Sequence, residues 1–235
     1  PDVLPLEVFS TCTVRSSESS ITKDHFEAVS LVRRKFKQKT LLCRIDACAS
    51  MCSDRESVLY IQRISQLVKQ KATDAEEVIR GCSLLRTCLV AMPGLSNKAD
   101  QWLVGEAVTW GLVRFTQSRE GVGSVGHVIE ELVRVGQAGS DDFAFGESFL
   151  MPFLFALGGL FGDIDHCQSL LDAARSQLQA EVKRLVGEEG SVGLKLSSEI
   201  LGVVNRWVRC REIMNETSGG KLTKETNNKI DEAVV

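Results

Sequence analysis

The run Phe149-Leu-Met-Pro-Phe-Leu-Phe-Ala-Leu-Gly-Gly-Leu-Phe161 is thirteen residues without a polar side chain. It is too short to span a bilayer, which takes about 20 apolar residues, and it is interrupted by Pro152 and Gly158-Gly159. A run of this kind must be enclosed by the rest of the chain. Directly after it, Ile164, Cys167, Leu171, Ala174, Leu178, Val182 and Leu185 recur at steps of three and four residues, which places them on one helical stripe. Asp163 is an N-cap candidate for that helix and Gly187 its stop. The stretch 149–186 is therefore the expected centre of an all-helical core.

The same periodicity recurs along the chain. Thr22 is placed to cap a helix ending near Phe36. A second helix from about Thr40 turns Leu41, Leu42, Ile45, Cys48, Ala49 and Cys52 inward, and Asp54 caps a third carrying Val58, Ile61, Ile64 and Val68. Thr73-Asp-Ala-Glu76 has the form of a capping box ahead of Val78, Cys82, Leu85, Leu89 and Met92. Ser96 is the expected cap of the helix holding Ala99, Leu103, Ala107, Trp110 and Val113. A helix is expected over roughly 125–136 between two glycine-rich turns, and a last core helix over about 192–214. No stretch alternates with an inward β-branched face, and no fixed repeat is present. These features predict an all-α, compact, irregular domain of eight or nine helices. Residues 1–20 read as an N-terminal arm, 21–214 as the helical domain and 215–235 as a flexible C-terminal arm. Division into two lobes would fall near 93–96 or 117–126.

Motifs that carry chemistry are weak here. Gly121, Gly123 and Gly126 fit the G-x-G-x-x-G spacing, with Asp141 twenty residues after the first glycine. The dinucleotide fingerprint needs a buried strand before the first glycine, whereas Thr116-Gln-Ser-Arg-Glu120 is polar, so an interhelix turn is expected. Eight cysteines are present. Cys48 and Cys52 lie one helical turn apart, but no C-x-x-C pair supplies the closed ligand set of a structural zinc, and buried thiols in a reducing compartment, cytoplasmic or nuclear, are expected. His25, His127 and His166 stand in no nucleophile or metal motif. No cofactor is implied.

The most distinctive polar feature is Arg33, Arg34, Lys35, Lys37, Lys39 and Arg44, six cations within twelve residues of a chain whose formal net charge is −3. Such a cluster is either a solvated helix end or a phosphate-binding patch, extended by Arg63, Lys69, Lys71, Arg80 and Arg86 if their helices pack alongside. In plan, the chain resembles compact helical scaffold domains and all-helical viral nucleoproteins with arms at both ends. The expected function is a non-enzymatic helical interaction or assembly protein, meeting a protein partner or its own copy through helix faces and through terminal arms, Val3-Leu4-Pro5-Leu6 and Ile230 to Val235. The alternative is a nucleoprotein or coat-type subunit that covers single-stranded RNA with a basic groove around 33–44.

Overall fold

A computed structural model describes residues 36–70, 74–116, 121–141, 150–186, 197–217 and 220–234. Nine α-helices occupy these residues: α1 (Gln38–Met51), α2 (Arg55–Lys69), α3 (Ala75–Ala91), α4 (Lys98–Phe115), α5 (Val122–Asp141), α6 (Leu150–Phe161), α7 (Asp165–Leu185), α8 (Ser197–Glu216) and α9 (Lys224–Val234). A 3₁₀ turn, Met92–Gly94, follows α3. No strand occurs among the described residues. The chain is an all-α, multi-helix domain, as its periodicity predicts.

Two helices make the centre. Every residue of α6 is buried, because Phe149–Phe161 offers no polar face to turn outward. In α4, buried residues run almost unbroken from Trp102 to Phe115. The two pack on each other, with the Trp102 and Phe153 rings stacked at 6.0 Å and 17°. Helices α1, α2 and α3 cover α4; α7 and α8 cover α6; α5 touches α3, α4, α6 and α7; α9 lies on α7 and α8. Each Leu or Phe fully enclosed in this way contributes about 1.5–3 kcal/mol. The buried side chains of the described residues form one connected cluster from Phe36 to Ile230.

The expected stripes are largely the buried ones. Ile45, Cys48, Ile61, Ile64 and Val68 are enclosed, as are Val78, Cys82, Leu85, Leu89 and Met92. In α7, Ile164, Cys167, Leu171, Ala174, Leu178 and Val182 are buried and Leu185 packs against them. Asp54 caps α2 by accepting from the Ser57 amide at 3.1 Å.

Other boundaries differ from expectation. Asp74 caps α3 through the Glu77 amide at 2.8 Å, and Asn97 replaces Ser96 as the cap of α4, accepting from the Ala99 amide at 2.8 Å. Helix α7 starts at Asp165 with Ile164, not Asp163, at its N-cap and no side-chain cap. Ile164 is buried in that turn while Asp163 is exposed; burial of an isoleucine outweighs a cap of ~1 kcal/mol. Helix α5 runs on through Gly136 and Gly139, which read as loop in the sequence. Both are buried on its inner face, where a Cβ at Gly139 would come to 2.5 Å from the Trp102 ring. They are glycine because α6 approaches both closely, together with α7 at Gly136 and α4 at Gly139. Gly121, at φ +80°, precedes α5, and most of the glycine-rich turn lies inside that helix.

The largest correction is at the C-terminus. The segment 215–235, expected to be a flexible arm, contains α9. Thr223 accepts from the Thr226 amide at 3.2 Å and opens the helix, Leu222 and Ile230 are buried, and Arg211 of α8 pairs with Asp231 at 2.5 Å. The polar composition hides a narrow stripe, Leu222, Thr226, Ile230 and Ala233, spaced by four, four and three residues. The helix expected over 22–36 and the arm 1–20 lie outside the described residues, apart from Phe36. That ring is buried, edge-on to Trp110 at 5.7 Å and 72°.

Candidate interaction surface

Of the basic cluster, Lys37, Lys39 and Arg44 fall among the described residues. Lys37 and Lys39 are exposed at the start of α1. Arg33, Arg34 and Lys35 lie outside the described residues. Arg44 turns toward α8: its Nε donates to Glu216 Oε2 at 2.8 Å, its Nη2 to Glu216 Oε1 at 2.5 Å and its Nη1 to Glu212 Oε2 at 3.0 Å. Burial alone would lower the Arg44 pKa, but the Glu216 and Glu212 carboxylates hold it above its ordinary value. Arg44 is thus engaged inside the chain and joins α1 to α8.

A second cation lies deeper in the same seam. Arg209, on α8, is buried with Glu106 of α4. Its Nε donates to Glu106 Oε2 at 3.2 Å and its Nη2 to Glu106 Oε1 at 2.9 Å. Nη2 also reaches Cys48 Sγ and Nη1 reaches Met51 Sδ, both at 3.0 Å. Trp110 Nε1 completes the set with a 3.3 Å bond to Glu106 Oε1. Burial pulls the Arg209 pKa down, and the Glu106 carboxylate more than offsets this and keeps the guanidinium charged. A third buried charge, Asp100, accepts from the Asp54 amide at 2.7 Å and the Ser53 amide at 3.1 Å, which pins the α1–α2 turn onto the start of α4. These groups are occupied with one another, and their chemistry is to fix helices in place.

The thiols agree with that. Burial pushes Cys52, Cys82 and Cys167 up to about 12 and Cys88 to about 11. Burial also raises Cys48 and Cys210 well above the ordinary thiol value. Thiols held protonated are poor nucleophiles and poor metal ligands. Among the described residues no three His, Cys, Asp or Glu side chains gather to hold a metal ion, and no described helix is long and apolar enough to cross a membrane.

The outer surface is uneven. Of the seven large apolar side chains left exposed among the described residues, Leu59, Ile79, Leu84 and Val90 belong to α2 and α3. Ile79 and Val90 are eleven residues apart, which returns them to one outward stripe of α3, while the buried face of that helix is already complete. Leu84, five residues from Ile79, lies about 140° round α3 from it, on the flank shared with Cys88, so both flanks of α3 and the outer side of α2 carry apolar side chains in water. An open polar groove of about 330 Å³ also lies between α7 and α9, with Lys183, Thr223, Thr226 and Lys229 in its lining. There Lys229 pairs loosely with Glu225 at 3.8 Å.

Sequence reasoning did not find Glu106, Arg209 or Asp100 as a set. The available signal was a lone carboxylate, Glu106, inside the apolar run Trp102–Val113. The α3 surface had a clearer signal, since Ile79, Leu84 and Val90 exceed what one stripe of that helix can bury. Comparison with known protein families, with characterised proteins and with solved structures finds no match to this chain.

Proposed function

We propose that this chain is a non-enzymatic helical interaction and assembly protein that works through its helix faces. The observation that carries the reading is the group Leu59, Ile79, Leu84 and Val90, exposed on two adjacent helices whose inner faces are already filled. Val90 keeps 70% of its surface in water, a cost that contact with a partner would relieve at about 25 cal/mol per Å². Of the two hydrophobic ends expected to act as arms, Ile230 is committed to the chain's own core, so the helix faces are the better-supported route. The RNA-coating alternative has narrower support, because Arg44 is engaged with Glu212 and Glu216 and the cluster's described exposed cations are Lys37 and Lys39.

The test is the double substitution Ile79→Glu with Val90→Glu, studied by analytical ultracentrifugation and by cross-linking mass spectrometry in the expressing cell. A folded variant that loses self-association or a reproducible cross-linked neighbour supports the reading. A parent chain that stays monomeric at high concentration and yields no neighbour sinks it.

A further inference from the structure

Helices α2 and α3 both pack firmly on α4 but touch each other only thinly, which leaves a shallow trough between them. On the α2 flank, Tyr60 and Leu67 are half-buried, and the Arg63 guanidinium lies 6.0 Å from the Tyr60 ring centre. On the α3 flank, Leu84 and Cys88 are one helical turn apart. Arg63 and Tyr60 both interact electrostatically with the Cys88 thiol, so the two flanks face one another. Leu59 stands at the outer edge of α2.

The charge around this trough opposes that of the whole chain. The formal net charge is −3, yet no acidic residue occurs between Glu56 and Asp74 or between Glu77 and Asp100. Arg63, Lys69, Arg80 and Arg86 fall in those two tracts. Glu56, at the near end, is bonded by the Tyr60 hydroxyl at 3.4 Å. The surface is therefore an apolar trough with positive rims. Along the flank of α3 that carries Arg80, Leu84 and Cys88 it extends about 12 Å at 1.5 Å per residue, two turns of a helix laid alongside.

We infer that the α2–α3 trough is the docking site for an acidic amphipathic segment of a partner protein; the inference rests on the interaction reading above and names its partner class. Apolar anchors at helical spacing fill the trough, as in helix-in-groove recognition, and carboxylates on their flanks meet Arg63 and Arg80. A second copy using the same face would oppose those arginines to their own counterparts. Single-stranded RNA binds by stacking bases on aromatic rings, and the trough has one ring, Tyr60, already in contact with Arg63.

The test uses the full chain and two short labelled helix-forming peptides, each with leucines on one face and either glutamates or lysines on the other. Fluorescence anisotropy is read at low and high salt. The glutamate peptide is expected to bind at least about tenfold more tightly than the lysine peptide, with the gap closing as salt rises. Arg63→Glu with Arg80→Glu should reverse the preference, and Leu84→Ser should weaken the glutamate peptide about tenfold, a loss of ~1.4 kcal/mol. Lys183→Glu with Lys229→Glu, on the far groove, should change neither. Equal binding of both peptides overturns the acidic partner and leaves the interaction reading standing. Tighter binding of anionic vesicles or of single-stranded RNA, lost in the same variants, overturns it in favour of those ligands. If no peptide, vesicle or RNA binds and the parent chain has no cross-linked neighbour, both readings fall.

Discussion

Glu106 and Arg209, 103 residues apart in the chain, meet as a buried ion pair at 2.9 Å between α4 and α8. An ion pair enclosed in this way is costly to break and weak evidence of net stability, because both charges have given up water. Removing one partner, by Glu106→Gln or Arg209→Met, should cost about 3–5 kcal/mol. The double variant should cost clearly less than the sum. Urea unfolding midpoints measure all three, and additivity within ~0.5 kcal/mol would show that the two charges do not depend on each other.

Gly158 sits where α6 crosses α7. A Cβ there would fall on the Leu171 side chain and 2.8 Å from the Cys167 carbonyl oxygen. Helix propensity favours alanine over glycine by about 1 kcal/mol, but a backbone oxygen cannot move aside. Gly158→Ala should therefore destabilise, by about 1–3 kcal/mol. Gly94→Ala meets nothing within 4 Å and should be close to neutral. Thermal melts of the two variants side by side decide the point; a neutral Gly158→Ala would mean that the helices can part.

Alkaline pH should unfold this protein steeply. The thiols of Cys52, Cys82 and Cys167 are raised from 9.0 to about 12, and that of Cys88 from 9.0 to about 11. The folded state keeps these protons while the unfolded chain releases them above about pH 9, so the stabilisation is complete below that pH and is lost as pH climbs toward 11–12. Each such thiol contributes a slope of about −1.4 kcal/mol per pH unit across the window. A Cys167→Ala variant should show a shallower fall in melting temperature between pH 9 and pH 11. An unchanged slope would assign the alkaline loss to other groups.

Thiol labelling gives an independent check on the same packing. Cys43 is exposed, whereas Cys48, Cys82, Cys88, Cys167 and Cys210 are buried. Brief alkylation of the native chain followed by peptide mapping should mark Cys43 and spare those five until denaturant is added. Early modification of Cys48 would mean that the α1–α8 seam opens readily.

Helix α9 should behave as part of the core. Ile230 is fully buried, and Ile230→Ala should cost about 2–5 kcal/mol. Truncation after residue 217 should lower the melting temperature as well. A tail that can be removed without effect would be an arm after all.

How far these residues could be read in advance follows from what makes each element. Helices with one filled stripe, such as α7 from Ile164 to Val182, were legible because burial alone dictates their spacing. Cap positions slipped by one or two residues where two capping residues adjoin, Ser96 beside Asn97, or where a buried Ile164 outweighed the exposed Asp163. Gly136 and Gly139 imitated a loop because close helix packing and chain reversal both select glycine. The polar seam of Arg44, Arg209, Glu106 and Glu216 was hidden, since nothing local pairs charges that lie over a hundred residues apart. The α2–α3 surface was half legible: its cations were visible as additions to the 33–44 cluster, while Leu59, Ile79, Leu84 and Val90 fall outside the inward stripes of those helices and no local signal says whether such residues stay exposed.

Helix α4 has almost no outside, and that imposes an order in time. The chain is made from its N-terminus, so α1, α2 and α3 emerge before the helix they cover, and α6 emerges after it. Synthesis from residue 38 to residue 161 takes about 6–25 s at about 5–20 residues per second. Until α4 itself emerges within that interval, the inner faces of the first three helices lack the helix they cover. The hazard is greatest before folding is complete, and substitutions that raise apolar exposure on α1–α3 should lower the yield of folded protein more than they lower its stability once folded.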